Sequence, residues 1–480
     1  KLAKQAIFYS ILITSFFTLV QCKPKKPYMS SDSFSSEQQE LIEIQLTSDP
    51  SGHFLNQRQA FSRDDLSLVF DGRNDETKIG ENASVKMLDV KTKAIRTIYE
   101  LHNQTTFGPG LGAVSFHPSK NQIVFIHGLM NASEDEPYGF SRRFAMQVDL
   151  EDERNTRPIE ARDVQDPFTA GALRGGSHAY SYSRDGKWLS FTYNDEVLEK
   201  ESKSNPDVVD LRTVGAFLVG EQVSINGKAD GSNFDGTSFA ILLAEVKANP
   251  QPGSDEISKA YEEGWVGDEG YNSSYGGVQK HALAFLGDVI SASGEKVTEV
   301  FIADIPDDLP RLMSSVNAGS KTSLPSIPEG VKQRRLTFTS TSKNPGVQGP
   351  RQWLRSTPDG SKIYFYRKDD SGIVQIYSVS PNGGELKAIT SNDFSADTTF
   401  SLSADGKYLV YGAKEAIYVT EVADGKTQLV LPAPPYSSNS LSNINWSNSG
   451  YAIAYNRKTS QNGEAFFQIY TLNLDTFLKL

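Results

Sequence analysis

The amino-acid sequence predicts an all-β protein built as a single β-propeller. The main observation is a repeated hairpin motif, found at 180–195, 354–369 and 400–412. Each copy has a short alternating strand, a Ser/Thr-x-Asp-Gly turn, and a strand rich in aromatic and β-branched residues. Asp-Gly supplies the positive φ angles of a tight hairpin, so each copy begins with two antiparallel strands.

The length of the repeat is the second observation. The 354–369 copy continues with a second hairpin, so one unit has four strands in about 45 residues. The last three repeat turns begin at Thr357, Ser403 and Ser447, which are 46 and 44 residues apart. Four antiparallel strands at this period are typical of a propeller blade. A β-sandwich is the alternative fold, but matching turns in four-stranded units favour the propeller.

The number of blades follows from the turns and from one long gap. Six turn motifs are visible, and Ser183 and Thr357 are 174 residues apart, which is more than one blade. We expect one further blade in this gap, without its Asp-Gly turn. Its four expected strands are 239–246, 281–289, 298–305 and 334–339. The sequence therefore favours seven blades, with six as the alternative.

Ring closure can also be predicted. The segment 43–48 resembles the final strands of other units, yet it precedes the first repeat. The last unit, from Ile444 onward, supplies about three strands. An N-terminal strand that completes the C-terminal blade would remove the sheet edge. Residues 41–480 are then expected to form one domain.

Two segments, 196–238 and 247–280, exceed the length that a blade needs and are interpreted as insertions. Such segments in a rigid scaffold are often functional. In the second, Asp255 and Glu256 favour the start of a short helix, and Trp265 follows its end. This acidic helix is expected to act as a lid or recognition element that binds a ligand. A solvent-facing decoration is the alternative.

The N-terminal segment predicts export. Two lysines and a 14-residue apolar run precede Cys22, the only cysteine. The run is too short to span a bilayer and fits a secretory signal at 1–21. A cysteine directly after it resembles a bacterial lipoprotein signal, although Gln21 departs from the usual motif. Residues 22–40 read as a flexible tether. We expect a lipidated Cys22 in the bacterial cell envelope, on the outer membrane at its periplasmic or surface face. A simple signal peptide is the alternative.

Charge and motifs exclude several functions. Lys plus Arg is 48 and Asp plus Glu is 59, a net charge of -11, which argues against nucleic acid as a partner. A lone cysteine excludes internal disulfides and Cys-based zinc sites. No Gly-x-Ser-x-Gly or Gly-x4-Gly-Lys motif occurs. The sequence predicts no cofactor except the metal considered next, and it favours a monomeric binding module over an enzyme.

Histidines at strand ends are the candidate site. His127, His178 and His281 are expected from blades two, three and four, with Asp195 at the end of a blade-three strand. Strand ends converge near a propeller channel, where these groups could hold a divalent metal or perform acid–base work. Arg174 could bind a ligand carboxylate, or it could be tied to a neighbouring acid. Each histidine could equally be structural.

The repeats resemble the TolB-like, WD40-like propeller repeats of bacterial envelope proteins. Longer segments resemble the YidR-like family, whose function is unassigned. These segments are VFIHG (124–128), ALRGGSHAYSYS (172–183), FTYND (191–195), PQPGSDEISKAYEEGWVG (250–267), HALAFLGD (281–288) and QRRLTFT (333–339). The resemblance implies no activity or catalytic residue.

Two functional hypotheses follow. The first is a lipid-anchored envelope propeller that binds a protein or glycan partner through its loop face, with the lipid as its only membrane contact. The alternative is a metal-dependent, lyase-like enzyme acting on carbohydrate at the channel mouth. Some seven-bladed relatives of TolB-like repeats are metal-dependent lyases of acidic sugars, and this resemblance implies a metal site at the three histidines.

Overall fold

A computed structural model describes residues 41–435 and 440–478. Within these residues the strands form seven four-stranded antiparallel sheets and one two-stranded ribbon. First strands of neighbouring blades contact one another, so the sheets form a ring around a central channel. The predicted seven-bladed propeller is confirmed. The signal, Cys22 and the tether lie outside the described residues and stay predictions.

Each blade is an antiparallel sheet whose first strand lies nearest the channel. The last blade takes its outermost strand, β1 (Glu43–Gln45), from the N-terminal end. Blade 1 contains β2 (Phe54–Leu55), β3 (Ser67–Asp71), β4 (Ser84–Asp89) and β5 (Ile95–Glu100). Blade 2 contains β6 (Leu111–Phe116), β7 (Gln122–Gly128), β8 (Arg143–Asp149) and β9 (Thr156–Pro158). Blade 3 contains β10 (Gly175–Tyr182), β11 (Trp188–Asp195), β12 (Thr213–Val223) and β13 (Gly236–Leu242).

The other four blades follow the same order. Blade 4 contains β14 (Ile257–Trp265), β17 (His281–Ile290), β18 (Lys296–Ile305) and β19 (Lys332–Arg335), and the ribbon β15 (Tyr271–Asn272) and β16 (Val278–Gln279) interrupts it. Blade 5 contains β20 (Arg355–Ser356), β21 (Ile363–Lys368), β22 (Val374–Val379) and β23 (Lys387–Ala388). Blade 6 contains β24 (Ser401–Leu402), β25 (Tyr408–Ala413), β26 (Ala416–Glu421) and β27 (Thr427–Leu431). Blade 7 contains β28 (Ser442–Trp446), β29 (Ala452–Gln461) and β30 (Glu464–Asn473), completed by β1.

The predicted closure by an N-terminal strand is confirmed. Strand β1 pairs with β30, and the amide of Leu46 donates to the carbonyl of Ile469 at 2.8 Å. Thr47 donates its hydroxyl to Gln468 Oε1 at 2.7 Å, a buried hydrogen bond. These bonds satisfy an edge that would otherwise expose unpaired backbone groups.

The repeated turn has a local chemical cause. Ser183 Oγ accepts the amide of Trp188 at 3.0 Å, and Asp185 Oδ1 accepts the amide of Lys187 at 3.0 Å. Gly186 alone takes a left-handed φ of 68°, where a side chain would be strained. The same two amide bonds recur in the turns at 357–362 and 403–408. The hydroxyl and the carboxylate of the motif therefore hold the first hairpin of these three units.

The blade-four prediction is wrong in its first strand. Residues 239–242 belong to β13, the outer strand of blade 3, and the expected acidic helix is instead β14. Register shifts interrupt β14 between Ile257 and Ala260 and between Tyr261 and Gly264. Each bulge adds residues between buried positions, so burial recurs at helical spacing. The spacing of the apolar residues in β14 therefore resembles the spacing in an amphipathic helix.

Both segments interpreted as insertions contribute to blades. Strand β12 lies inside 196–238, and β14 lies inside 247–280. Four short helical segments lie outside the blade strands of the described chain. They are a 3-10 helix (Ile79–Glu81), α1 (Glu196–Ser202), α2 (Leu309–Ser314) and α3 (Asp475–Leu478). Among the described residues, no helix is long and apolar enough to cross a membrane.

Candidate functional site: a cation-lined cavity

Arg174 and Asp195 lie together but are fully engaged. Both are buried, and Arg174 donates to Asp195 Oδ2 from Nε at 3.0 Å and from Nη2 at 2.7 Å. Arg174 also donates to the carbonyls of Ser320 and Ser323. Asp195 caps α1 by accepting the amide of Leu198. This pair joins a strand, a helix and a loop.

His127 is a core residue. Its Nε2 lies 3.2 Å from Tyr99 Oη, its Nδ1 lies 2.5 Å from the carbonyl oxygen of Gly128, and its ring packs on Phe144. Burial lowers its pKa to about 4, so the imidazole is neutral near pH 7.

His281 lies at the other end of the strands. Its Nε2 is 2.8 Å from Asp185 Oδ2, in the hairpin turn between β10 and β11. Gly175 and Asp195 pair at the opposite end of that strand pair. His281 therefore bridges two blades on the turn-bearing face and does not join His127 or His178.

Asp255, Glu256 and Trp265, the candidates of the second predicted insertion, are bonded to neighbouring residues. Lys247 Nζ is 2.6 Å from Glu256 Oε1, and Arg335 Nη1 is 3.4 Å from Asp255 Oδ1. Trp265 donates its indole N–H to the carbonyl of Ser181 at 2.8 Å, linking blades 3 and 4. These three side chains do not form a lid.

The histidines do not converge on a metal site. Across 41–435 and 440–478, no group of three or more His, Cys, Asp or Glu side chains is arranged to hold an ion. The donor arrangement of the described residues therefore does not fit the metal centre that was expected at His127, His178 and His281.

His178 does line a cavity of about 420 Å³. The cavity opens on the face that carries the loops between the second and third strands of blades 1–3, at 72–83, 129–142 and 196–212. Four left-handed residues at bulges in the innermost strands also line it. They are Ala113, Ala179, Glu262 and Asn443, with φ of 56°, 66°, 55° and 53°. The bulges bend the innermost strands and re-aim their side chains at this mouth of the channel.

Cations dominate the charge of the cavity lining. Five cationic side chains line it, against the two carboxylates of Glu76 and Glu262. The cations are Arg73, Arg143, Arg212, Lys259 and Arg351. Such an excess is opposite in sign to the net charge of the whole chain, -11.

Three of these cations form no ion pair among the described residues. Arg143, Arg212 and Lys259 have no carboxylate oxygen within 4.0 Å among the described residues. Arg143 Nη1 donates to Tyr138 Oη at 2.8 Å, and Arg212 Nε donates to Asn194 Oδ1 at 3.0 Å. Burial and nearby cations lower the pKa of Arg212 and of Lys259. Carboxylates beyond 4.0 Å oppose this shift: Asp210 acts on Arg212, and Asp288 and Glu262 act on Lys259. Positive charge held this way favours a bound anion.

An exposed aromatic ring lies between two of these cations. The guanidinium carbons of Arg143 and Arg212 are 4.6 Å and 4.7 Å from the ring centroid of Phe140. Phe140 is 57% exposed. Such stacking orients planar cations and leaves their N–H groups available for a ligand. Four further aromatic residues line the cavity: Phe54, Tyr138, Tyr261 and Trp353.

His178 adds a neutral polar group. Its Nδ1 is buried and has no hydrogen-bond partner among the described residues. Burial, followed by repulsion from Arg143, Arg212 and Arg351, holds its pKa well below the usual value. It can therefore accept or donate a hydrogen bond without carrying charge.

Arg58 links three blades of the ring. From blade 1 it donates to the carbonyl of Glu263 at 2.8 Å and to the carbonyl of Ala179, on blades 4 and 3. Its guanidinium carbon lies 4.1 Å from the ring centroid of Trp353. These contacts join blade 1 to blades 3 and 4.

Sequence reasoning identified only His178 among these cavity residues. The unpaired cations lie in different blades and are brought together by the ring. One local signal was available: Phe140-Ser141-Arg142-Arg143 places an aromatic residue beside two arginines. That pattern is common on protein surfaces and does not show which arginine lacks a partner.

The fold and the cavity define a seven-bladed β-propeller with a cation-lined pocket at one mouth of its channel. The chain is 36% identical over 389 residues to the uncharacterized protein YidR of Escherichia coli (strain K12), a match that covers 80% of this chain and 88% of that protein. The chain belongs to the YidR-like family, as the six resembling segments predicted.

The chain has three further similarities. A family model described as a protein of unknown function (DUF3748) matches residues 110–231. The chain is similar to the oligogalacturonate lyase of Vibrio parahaemolyticus, with a TM-score of 0.49 and 12% identity over 91% of this chain and 97% of that one. It is also similar to TolB of Acinetobacter baumannii, with a TM-score of 0.36 and 12% identity over 89% and 86%. At these values the likenesses concern chain topology alone.

Proposed function

We propose that this propeller is a binding module whose cavity takes an acidic saccharide unit. The observation that carries the proposal is a set of three partly or fully buried cations, Arg143, Arg212 and Lys259. None of them has a carboxylate oxygen of a described residue within 4.0 Å. A ligand carboxylate supplies the missing charge and accepts bidentate hydrogen bonds from a guanidinium.

The remaining lining favours a sugar over a protein side chain. Aromatic faces such as Phe140 and Trp353 can pack against the apolar face of a sugar ring, and His178 can bond a hydroxyl. The volume of about 420 Å³ lies within the range of roughly 300–1,000 Å³ that holds small ligands. A folded protein partner would instead need a larger, flatter surface.

A divalent metal is not part of this proposal. The cations around His178 would repel such an ion, and the other two histidines are occupied elsewhere. The metal-dependent alternative therefore lacks a donor set among the described residues.

Calorimetric titration with D-glucuronate and with D-glucose tests the proposal. We expect wild type to bind glucuronate and to bind glucose at least tenfold more weakly, because a charge-assisted hydrogen bond contributes about 1.5–3 kcal/mol. Arg143→Gln and Arg212→Gln should each weaken glucuronate binding about tenfold or more. Arg154→Gln is the control, since Arg154 is 92% exposed and pairs with Asp152. Equal affinity for both sugars, or no binding of either, would contradict the proposal.

A further inference from the structure

We infer that Glu262 takes up a proton when an anion enters the cavity, so that the site binds an anion and a proton together. This inference rests on the proposed function and adds the coupling that controls it.

The position of Glu262 is the first argument. At the bulges of four innermost strands the left-handed residue is Ala113, Ala179 or Asn443 in three blades and Glu262 in the fourth. Left-handed backbone costs an ordinary residue about 1–2 kcal/mol, and Asn tolerates it better than most. Blade 4 alone of these four directs a long titratable side chain from this position into the cavity.

The charges around Glu262 are the second argument. Its Oε1 lies 3.9 Å from Arg351 Nε, but Arg351 Nη1 is held at 2.8 Å by Glu76 Oε1. Its Oε2 accepts a long hydrogen bond, 3.4 Å, from the amide of Gln352. Glu262 is thus a largely buried carboxyl with one shared, distant cation and one long hydrogen bond.

Other charged groups face it from each packed element. From its own strand, Lys259 favours the charged form and Glu263 opposes it, while Tyr261 is neutral. From blade 1, Arg58 is committed to Glu263, with Nη2 and Oε1 3.4 Å apart. From blade 3, Arg212 and the neutral His178 line the same cavity. Burial outweighs these attractions and raises the pKa of Glu262 to about 7.

The coupling follows from charge. An anion in the cavity repels an ionised Glu262, so the protonated form binds it better. Below pH about 7 the proton is already present, and affinity is nearly constant. Above that pH each anion must bring one proton, which weakens binding by at most about tenfold per pH unit. Protonation of His178 cannot cause this pH dependence, since its pKa lies far below this range.

The experiment is titration of D-glucuronate into wild type at about pH 6 and about pH 8, in two buffers of different ionisation enthalpy at each pH. Its carboxylate stays ionised throughout. We expect binding about tenfold weaker at the higher pH, with uptake of close to one proton shown by the buffer dependence of the enthalpy.

Two variants assign the proton. Glu262→Gln should bind glucuronate with the same affinity at both pH values and without proton uptake. Glu329→Gln, which removes an exposed carboxylate outside the cavity lining, should keep the full pH dependence. Binding that is independent of pH in wild type, or a pH dependence that survives in Glu262→Gln, would overturn the inference alone. Absence of glucuronate binding at both pH values would instead overturn the proposed function, and the inference with it.

Discussion

Two buried arginines differ in what they leave for a ligand. Arg174 is bonded to Asp195 and to two backbone carbonyls, so its donors and its charge are satisfied. Arg143 is held by the hydroxyl of Tyr138 and the ring of Phe140, and neither neutralises it. Burial of the two residues is similar, but only the second retains a charge to offer. The partner, not the residue type, decides availability.

Glu262 makes a prediction for stability. Its pKa in the folded protein, about 7, lies above the ordinary 4.5, so folding favours the protonated form. The corresponding stability is fully present below pH about 4.5 and is lost as pH rises through about 7. The shift corresponds to at most about 3 kcal/mol. The Tm of Glu262→Gln should therefore exceed the Tm of wild type, and this difference should be larger at pH about 8 than at pH about 5. Parallel Tm curves would contradict the burial of this carboxyl, and Glu329→Gln, which changes an exposed acid outside the cavity, is the control.

Strand β14 shows why one element resisted prediction. Its two bulges place buried residues at Ile257, Ala260 and Gly264, a spacing that also fits a helix. The hairpin turns were predictable because their hydrogen bonds are local. The bulges of β14 depend on contacts with other blades, which the sequence alone does not display. The error at Arg174 has the same origin, since its partners Asp195, Ser320 and Ser323 are distant in sequence.

Gly264 tests the packing of this strand. An added Cβ would lie 2.2 Å from the carbonyl oxygen of Leu354, which belongs to the next blade. Gly264→Ala should therefore push blades 4 and 5 apart and destabilise the fold by about 1–3 kcal/mol. Denaturant unfolding measures this change. Gly139→Ala is the control, because its nearest neighbour, the carbonyl oxygen of Pro137, would be 4.0 Å away. An unchanged midpoint in Gly264→Ala would contradict this close approach.

The whole ring explains both the success and the limit of sequence reasoning. Seven repeated units and the closing strand could be predicted because the repeat and its turn residues are visible in the amino-acid sequence. The cavity could not, because it exists only where five innermost strands and several loops meet around one axis. A chain that is acidic overall thus carries a positive pocket at one mouth of its channel.

A crystal structure of the protein grown with D-glucuronate at pH about 6 tests the central claim most directly, because Glu262 is then mostly protonated. The account predicts a sugar carboxylate within hydrogen-bonding distance of Arg143 or Arg212, with its ring packed on an aromatic side chain of the cavity. A cavity that holds only water at saturating glucuronate would contradict the account. A sugar bound only outside the cavity would contradict it as well.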